Sequence, residues 1–319
     1  MIGLEEIRRA ASRLAGKVHR TPILSSSQLG RRRGVRLHMK CENFQKTGSF
    51  KPRGALNKVL SLSAEERARG LVTVSAGNHA QAVAWAAGIA GVSSAVVMPT
   101  DAPKTKIDAV RGYGAEIIFH DDRATLFDRL HQVQEERGAT FVHPFDDPVV
   151  LAGAGTTGLE LLEDLPDAEV VVVPVGGGGL LAGVASAVKQ IRPSVRVVAV
   201  ELAAGPGLGP ALAAGKPVKV PRPYETIADG MTPPFVGELP LAITREAVDE
   251  IVTVTEEEIL EGMRLLMTRA KLYVEGAGAA AVAALLAGKV SLEPNARAAA
   301  IVSGGNVDLG RVAAALAQS

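Results

Sequence analysis

Residues 170–188 carry no charged side chain, yet Pro174 and four consecutive glycines, Gly176, Gly177, Gly178 and Gly179, interrupt the run in its middle. Such a break would leave backbone N–H and C=O groups unpaired in lipid, which excludes a membrane span. The stretch is instead a strand over 170–173, a glycine loop and a helix over 180–191. A strand of four valines with no polar alternation is buried on both faces, and that calls for a parallel sheet covered by helices.

The rest of the chain repeats the alternation. An amphipathic helix is expected over 4–14, a strand over 35–41, a helix reaching residue 60, and a charged helix stopped by Gly70. Strands follow over 71–74, 94–98, 115–119 and 140–142, separated by helices over 80–90, 104–111 and 126–137. After His143-Pro144-Phe145 the pattern restarts with a helix over 149–162 and, beyond the glycine loop, a strand over 195–200. Helices then fall over 255–269 and 277–286, with a strand over 299–302, while 203–240 is rich in Gly and Pro and stays unassigned. Short connections between strand and helix predict parallel strands joined by right-handed crossovers. The fold class is therefore α/β, with open, mostly parallel sheets flanked by helices. A length of 319 residues with 47% hydrophobic but only 3% aromatic residues suits two such units. The smaller, 63–144, is nested in a larger one formed by 1–62 and 145–319.

The formal net charge is +1 and the charges are interspersed, so the chain has no electrostatic footprint for nucleic acid or an anionic membrane surface. Arg31-Arg32-Arg33, between two glycines, is a solvated turn. A single cysteine, Cys41, fits a reducing compartment. Glu5, Glu6, Arg8, Arg9 and Arg13 at helical spacing do not make a secretory signal. The expected location is cytoplasmic.

In open α/β sheets ligands sit beyond the carboxyl ends of the strands. There the glycine loop runs straight into a helix whose first N–H groups are unpaired, a cradle for phosphate. Gly177, Gly179 and Ala182 also match the dinucleotide pattern G-x-G-x-x-A, with Glu201 placed for a ribose, so a nicotinamide-dependent oxidoreductase is an alternative. No Gly-Lys-Ser/Thr follows, which excludes a triphosphate P-loop. Lys51 precedes Pro52 at an expected helix start, where a cation opposes the helix dipole. It either points into water or holds a neutral amine able to form a Schiff base. The turn Ser75-Ala76-Gly77-Asn78-His79 opens another helix; Asn78 is a cap there, or the free N–H groups bind a carboxylate. Ser303, after the last strand, is a loop residue or a hydroxyl for a ring nitrogen. A dinucleotide leaves Lys51 and the 75–79 turn without a role. Pyridoxal 5′-phosphate, an aldehyde bearing a phosphate, uses both.

Five stretches together resemble the threonine/serine dehydratases, which group with serine racemase among the fold-type II pyridoxal-phosphate enzymes. They are Glu42-Asn43-Phe44-Gln45-Lys46-Thr47-Gly48-Ser49-Phe50-Lys51-Pro52-Arg53-Gly54-Ala55, Ser75-Ala76-Gly77-Asn78-His79-Ala80-Gln81, Pro174-Val175-Gly176-Gly177-Gly178-Gly179-Leu180, Thr226-Ile227-Ala228-Asp229-Gly230 and Ser303-Gly304-Gly305-Asn306-Val307. The resemblance covers essentially the whole chain in the same order. It implies that Lys51 binds the cofactor aldehyde and later takes the Cα proton of an amino-acid substrate, with Phe50 packed near the ring. It further implies Asn78 at the ring hydroxyl, Gly176, Gly177, Gly178, Gly179 and the N–H of Leu180 at the phosphate, and Ser303 at the ring nitrogen. Ser75, Asn78 and His79 would line the substrate carboxylate. The large unit then binds the cofactor, the small one gates the substrate, and the assembly is a homodimer.

Two departures refine the expectation. Racemases of this family place a serine as second proton carrier where this chain has Ala76, which favours dehydration over racemisation. Relatives with a divalent-ion site pair a Glu matching Glu201 with an Asp six residues on, here Gly207, so no metal site is expected. The expected activity is β-elimination of water from L-threonine or L-serine to a 2-oxo acid and ammonia. Serine racemase and 3-hydroxyaspartate ammonia-lyase remain alternatives.

Overall fold

The computed structural model describes residues 1–220 and 225–317. Among the described residues ten strands form two sheets: β1 Ile23–Ser25, β2 Arg36–Cys41, β3 Leu71–Val74, β4 Ser94–Pro99, β5 Glu116–His120, β6 Thr140–Phe141, β7 Val170–Pro174, β8 Arg196–Leu202, β9 Glu250–Val254 and β10 Arg297–Val302. The larger sheet has the order β1-β2-β10-β7-β8-β9 and the smaller β5-β4-β3-β6. All pairings are parallel except β1 with β2, which is antiparallel at the sheet edge.

The valines of β7 account for its central place. Val170 and Val172 point into the core shared with Leu37, Val198 and Val282, while Val171 and Val173 point into the core on the opposite face with Leu181 and Val184. Helices cover both faces, as a strand with no polar side requires. In β10, small side chains at Ala298 and Ala300 face the core shared with the helix Gly276–Leu286 and let it come close, while Ala299 faces the opposite core. A Cβ on Gly278 would stand 2.1 Å from the Gly304 carbonyl oxygen, so only glycine fits.

Register brings the strand ends level. Val302 of β10 pairs with Cys41 of β2, and Ala300 pairs with Val172 of β7, so three neighbouring strands end at nearly the same height. Their exits are the segment leading to Lys51, Ser303 itself and the glycine loop.

The structure differs from expectation mostly at edges. The helix bearing Lys51 spans Lys51–Ser61, with Phe50 in the cap position, so Pro52 is its second residue rather than its first. The helix expected over 255–269 is α-helical only for Glu256–Leu265 and closes in a wider π-type turn, Leu266–Ala270, before Lys271 at φ 60°. Within 203–240, helix Leu208–Ala214 and the start of Glu238–Ala247 emerge, and residues 221–224 lie outside the described residues. Among the described residues, no helix is long and apolar enough to cross a membrane.

Candidate active site

A cavity of about 500 Å³ lies between the carboxyl ends of the two sheets. Phe50, Lys51, Ser75, Ala76, Asn78, His79, the four glycines, Leu180 and Ser303 all line it. Segments distant in sequence are strapped together beneath it. Phe50 N donates to Ser303 O at 3.0 Å, Gly305 N to Gly48 O at 2.9 Å, and Ser49 bridges to Gly304.

Lys51 occupies the first helical position, and its Nζ donates to Pro144 O at 2.7 Å, 5.1 Å from the centroid of the Phe50 ring. Burial lowers its pKa to about 8, with Glu275 acting in the opposite direction. The neutral amine is therefore far more accessible near neutrality than at an ordinary lysine, which favours the nucleophilic amine over a solvated cation at this position.

The glycine loop is shaped as an anion cradle. Gly178 has φ 90°, a conformation other side chains avoid, and caps the helix Gly179–Ile191. The first intrahelical bond runs from Ala182 N to Gly178 O at 2.8 Å, so the N–H groups of Gly179, Leu180 and Leu181 have no intrahelical acceptor. A Cβ on Gly177 would sit 2.3 Å from the Phe145 ring, and one on Gly178 2.6 Å from Pro240.

Asn78 is not a helix cap. It is the first residue of the helix Asn78–Ala90, with Gly77 in the cap position, and its Nδ2 donates to Glu275 Oε1 at 2.7 Å while its Oδ1 accepts from Asn306 Nδ2 at 2.8 Å. Ser75 Oγ accepts from Gly77 N at 3.0 Å and shapes the turn. His79 is 3% exposed, and Nε2 lies 2.9 Å from Val142 O. Burial, with Lys51 nearby, holds its pKa well below the usual histidine value. The ring is neutral, donates through Nε2 and keeps a lone pair on Nδ1, which has no partner. A side chain in that state offers a substrate carboxylate no donor; Ser75 N–H is spent on Val97 O and Gly77 N–H on Ser75 Oγ, which leaves the backbone N–H groups of Ala76, Asn78 and His79 to do so. Ser303 is 4% exposed, and Oγ donates to Ala277 O at 3.2 Å.

Several residues of the site gave no signal in the sequence. Glu275, 4% exposed, has its pKa raised to about 7 by burial and by Asp229. His143, pushed down to about 4 by burial, accepts from the backbone N–H of Phe145 and Asp146 at 3.2 and 2.8 Å, and edges against Phe145 at 4.8 Å. Phe127 lies 6.0 Å from Phe235. Lys106 bridges to Asp229 at 2.6 Å, and Arg123 to Asp101 at 2.7 Å.

Glu201 is committed elsewhere. Its carboxylate accepts from the backbone N–H of Gly207, Leu208 and Gly209 at 2.7, 2.5 and 3.0 Å, closing the N-terminus of the helix Leu208–Ala214. Those donors take three of the carboxylate's roughly four acceptor positions, so Glu201 serves the helix N-terminus rather than a ribose hydroxyl.

A lysine amine near neutrality, an unpaired run of N–H groups and a buried hydroxyl at the ends of three adjacent strands fit an aldehyde cofactor bearing a phosphate. The class they suit is an enzyme that works on amines through a bound carbonyl. The chain belongs to the pyridoxal-phosphate dependent enzyme family, whose model matches residues 14–304, and its cofactor is pyridoxal 5′-phosphate. It is 46% identical over 316 residues to L-threonine ammonia-lyase of Thermotoga maritima, covering 98% of this chain and 77% of that protein. The solved structure of T.th. threonine deaminase superposes with a TM-score of 0.91 at 44% identity, covering 96% of this chain and 99% of the other. Maize serine racemase superposes with a TM-score of 0.93 at 39% identity, covering 99% and 97%.

Proposed function

We propose that this enzyme removes water from a 3-hydroxy amino acid, L-threonine or L-serine, to give a 2-oxo acid and ammonia. The observation that carries this reading is the near-full-length identity with L-threonine ammonia-lyase of Thermotoga maritima, together with Lys51 held near neutrality at the cavity wall.

Bound pyridoxal phosphate supplies an electrophilic carbonyl and an electron-withdrawing ring. In the proposed site the N–H groups from Gly176 to Leu180 hold the phosphate, and Asn78 and Ser303 fix the ring hydroxyl and ring nitrogen. Ser303 would meet that nitrogen by turning its hydroxyl from Ala277 O; a neutral hydroxyl, unlike a carboxylate, would not hold the nitrogen protonated, so the ring would be a weaker electron sink, which suits elimination. The 75–79 turn takes the substrate carboxylate on the backbone N–H groups of Ala76, Asn78 and His79, those of Ser75 and Gly77 being bonded within the protein. Lys51 Nζ accepts the Cα proton, with Pro144 O orienting the amine.

The cavity also bears on the substrate side chain. Phe127, Phe145, Pro233 and Pro234 line it, and the cations at its mouth, Lys106 and Arg123, are each held by a carboxylate. Those features suit a neutral β-substituent better than the second carboxylate of 3-hydroxyaspartate. Similarity to maize serine racemase keeps racemisation as a second reading, whereas the methyl of Ala76 puts no proton carrier at that position of the turn. Release of 2-oxo acid from a panel of L-threonine, L-serine and 3-hydroxyaspartate, with chiral chromatography of recovered amino acid, tests both. Rapid 2-oxo acid from threonine without D-amino acid is expected; D-serine as the main product overturns the assignment.

The same reading divides the chain into a large cofactor-binding domain, 1–62 with 145–319, and a small gating domain, 63–144. The Lys106–Asp229 ion pair and the Phe127–Phe235 contact span the cavity mouth between them. We place the enzyme in the cytoplasm as a homodimer, in line with its one buried cysteine and the family resemblance.

A further inference from the structure

Glu275 is a buried carboxyl that neither the base chemistry nor the phosphate cradle uses. Among the described residues it has no salt bridge closer than 4.0 Å, and burying such a group is costly unless something compensates. A leucine would fill the space without that cost. What the carboxyl does have is a specific partner, the Nδ2 of Asn78 at 2.7 Å.

The bond belongs to a directed chain. Asn306 Nδ2 gives its two hydrogens to Thr47 O at 2.6 Å and to Asn78 Oδ1 at 2.8 Å. With both spent, Asn306 presents a donor and nothing else to Asn78, and Glu275 Oε1 presents an acceptor. An amide turned by 180° would set nitrogen against nitrogen on one side and oxygen against oxygen on the other, so Asn78 has one allowed orientation. Its Nδ2 then keeps a second hydrogen, on a residue that lines the cavity. The clamp draws on four separate parts of the fold: the segment before Lys51, the start of the helix Asn78–Ala90, the residue before the helix Gly276–Leu286, and the loop after β10. Glu275 is itself held by its backbone N–H on Gly304 O at 3.2 Å.

We propose that Glu275 and Asn306 are positioning residues that lock the Asn78 amide with one N–H aimed into the cavity, as a fixed donor to the ring oxygen of the bound cofactor. The inference rests on the cofactor-binding role of Asn78, and the test separates the two. Cofactor is titrated into cofactor-free wild type and into Glu275→Gln, Glu275→Leu, Asn306→Asp and Asn78→Ala, recording the dissociation constant, the visible absorbance maximum and the melting temperature. Glu275→Gln keeps an acceptor oxygen and binds within about threefold of wild type with an unchanged spectrum. Glu275→Leu and Asn306→Asp weaken binding by about tenfold and shift the absorbance maximum. Leucine leaves the melting temperature unchanged or raised, which a merely structural carboxyl would not. Wild-type affinity and spectrum in both Glu275→Leu and Asn306→Asp, with Asn78→Ala impaired, overturn the positioning role and leave the role of Asn78 intact. An unimpaired Asn78→Ala overturns both.

Discussion

Arg53, one helical step past Pro52, grips the Glu42 carboxylate through Nε and Nη2 at 2.7 and 2.9 Å, and both side chains are fully buried. The same guanidinium reaches Glu160 at 2.7 and 2.8 Å, and Lys40 completes the group with a 2.6 Å bond to Glu160. Two cations and two carboxylates balance, and Thr21 Oγ1 donates to Glu42 at 2.5 Å. The network anchors the helix that begins at Lys51. Removing one partner strands a buried charge, so Arg53→Met is expected to cost about 3–5 kcal/mol. Urea unfolding of the cofactor-free protein reads this directly, and a loss under about 1 kcal/mol would show that the network is solvated and plays no anchoring part.

Gly153 and Gly54 let the helix Pro148–Asp164 lie against the helix Lys51–Ser61. A Cβ on Gly153 would stand 2.4 Å from Arg53 O and 2.7 Å from Gly54 Cα. Gly153→Ala must push the helices apart, and overpacking of this kind costs about 1–3 kcal/mol. A lower melting temperature together with weaker cofactor binding is expected, because the displaced helix carries Lys51. An unchanged melting temperature would mean that the two helices part without cost.

Glu275 makes the stability of the cofactor-free enzyme depend on pH. Its folded pKa, raised to about 7, lies above its ordinary value of 4.5. Between those values the folded chain keeps a proton that the unfolded chain has lost, so stability falls as pH rises through the window and the full cost is present above it. The difference in unfolding free energy between Glu275→Gln and wild type should grow across that range by roughly 3 kcal/mol at most. A difference that stays flat, or shrinks as pH rises, contradicts the burial of a carboxyl held only by a neutral amide.

With Glu201 spending both oxygens on three backbone N–H groups, a chelator should leave threonine turnover and melting temperature unchanged. Glu201→Ala, which opens the N-terminus of the helix Leu208–Ala214, should destabilise by about 1–3 kcal/mol. Activity lost to chelator and restored by Mg²⁺ or Ca²⁺ would count against that use of the carboxylate.

Much of the site was legible from local pattern. The valine run of β7, broken by glycines, announced a buried strand feeding a helix N-terminus, and Lys51 before Pro52 announced an amine at another. The edge strands β1 and β9 escaped because β1 has three residues and four of the five residues of β9 are partly or fully exposed, so neither gives a clear buried run. Glu275 escaped for a different reason: its partner Asn78 lies 197 residues away, and one acid before Gly276 carries no local mark of burial. Arg53 stood inside a recognised motif, but its second carboxylate, Glu160, is 107 residues distant. Period and turn chemistry act within a few residues, whereas polar clamps are closed by the fold.

The most direct measurement concerns Lys51 itself. The yellow holoenzyme is reduced with borohydride, digested, and mapped by mass spectrometry. The pyridoxyl group is expected on the peptide containing Lys51, with Lys51→Ala giving neither the adduct nor 2-oxo acid from L-threonine. An adduct on another lysine, or threonine turnover retained by Lys51→Ala, would contradict the assignment.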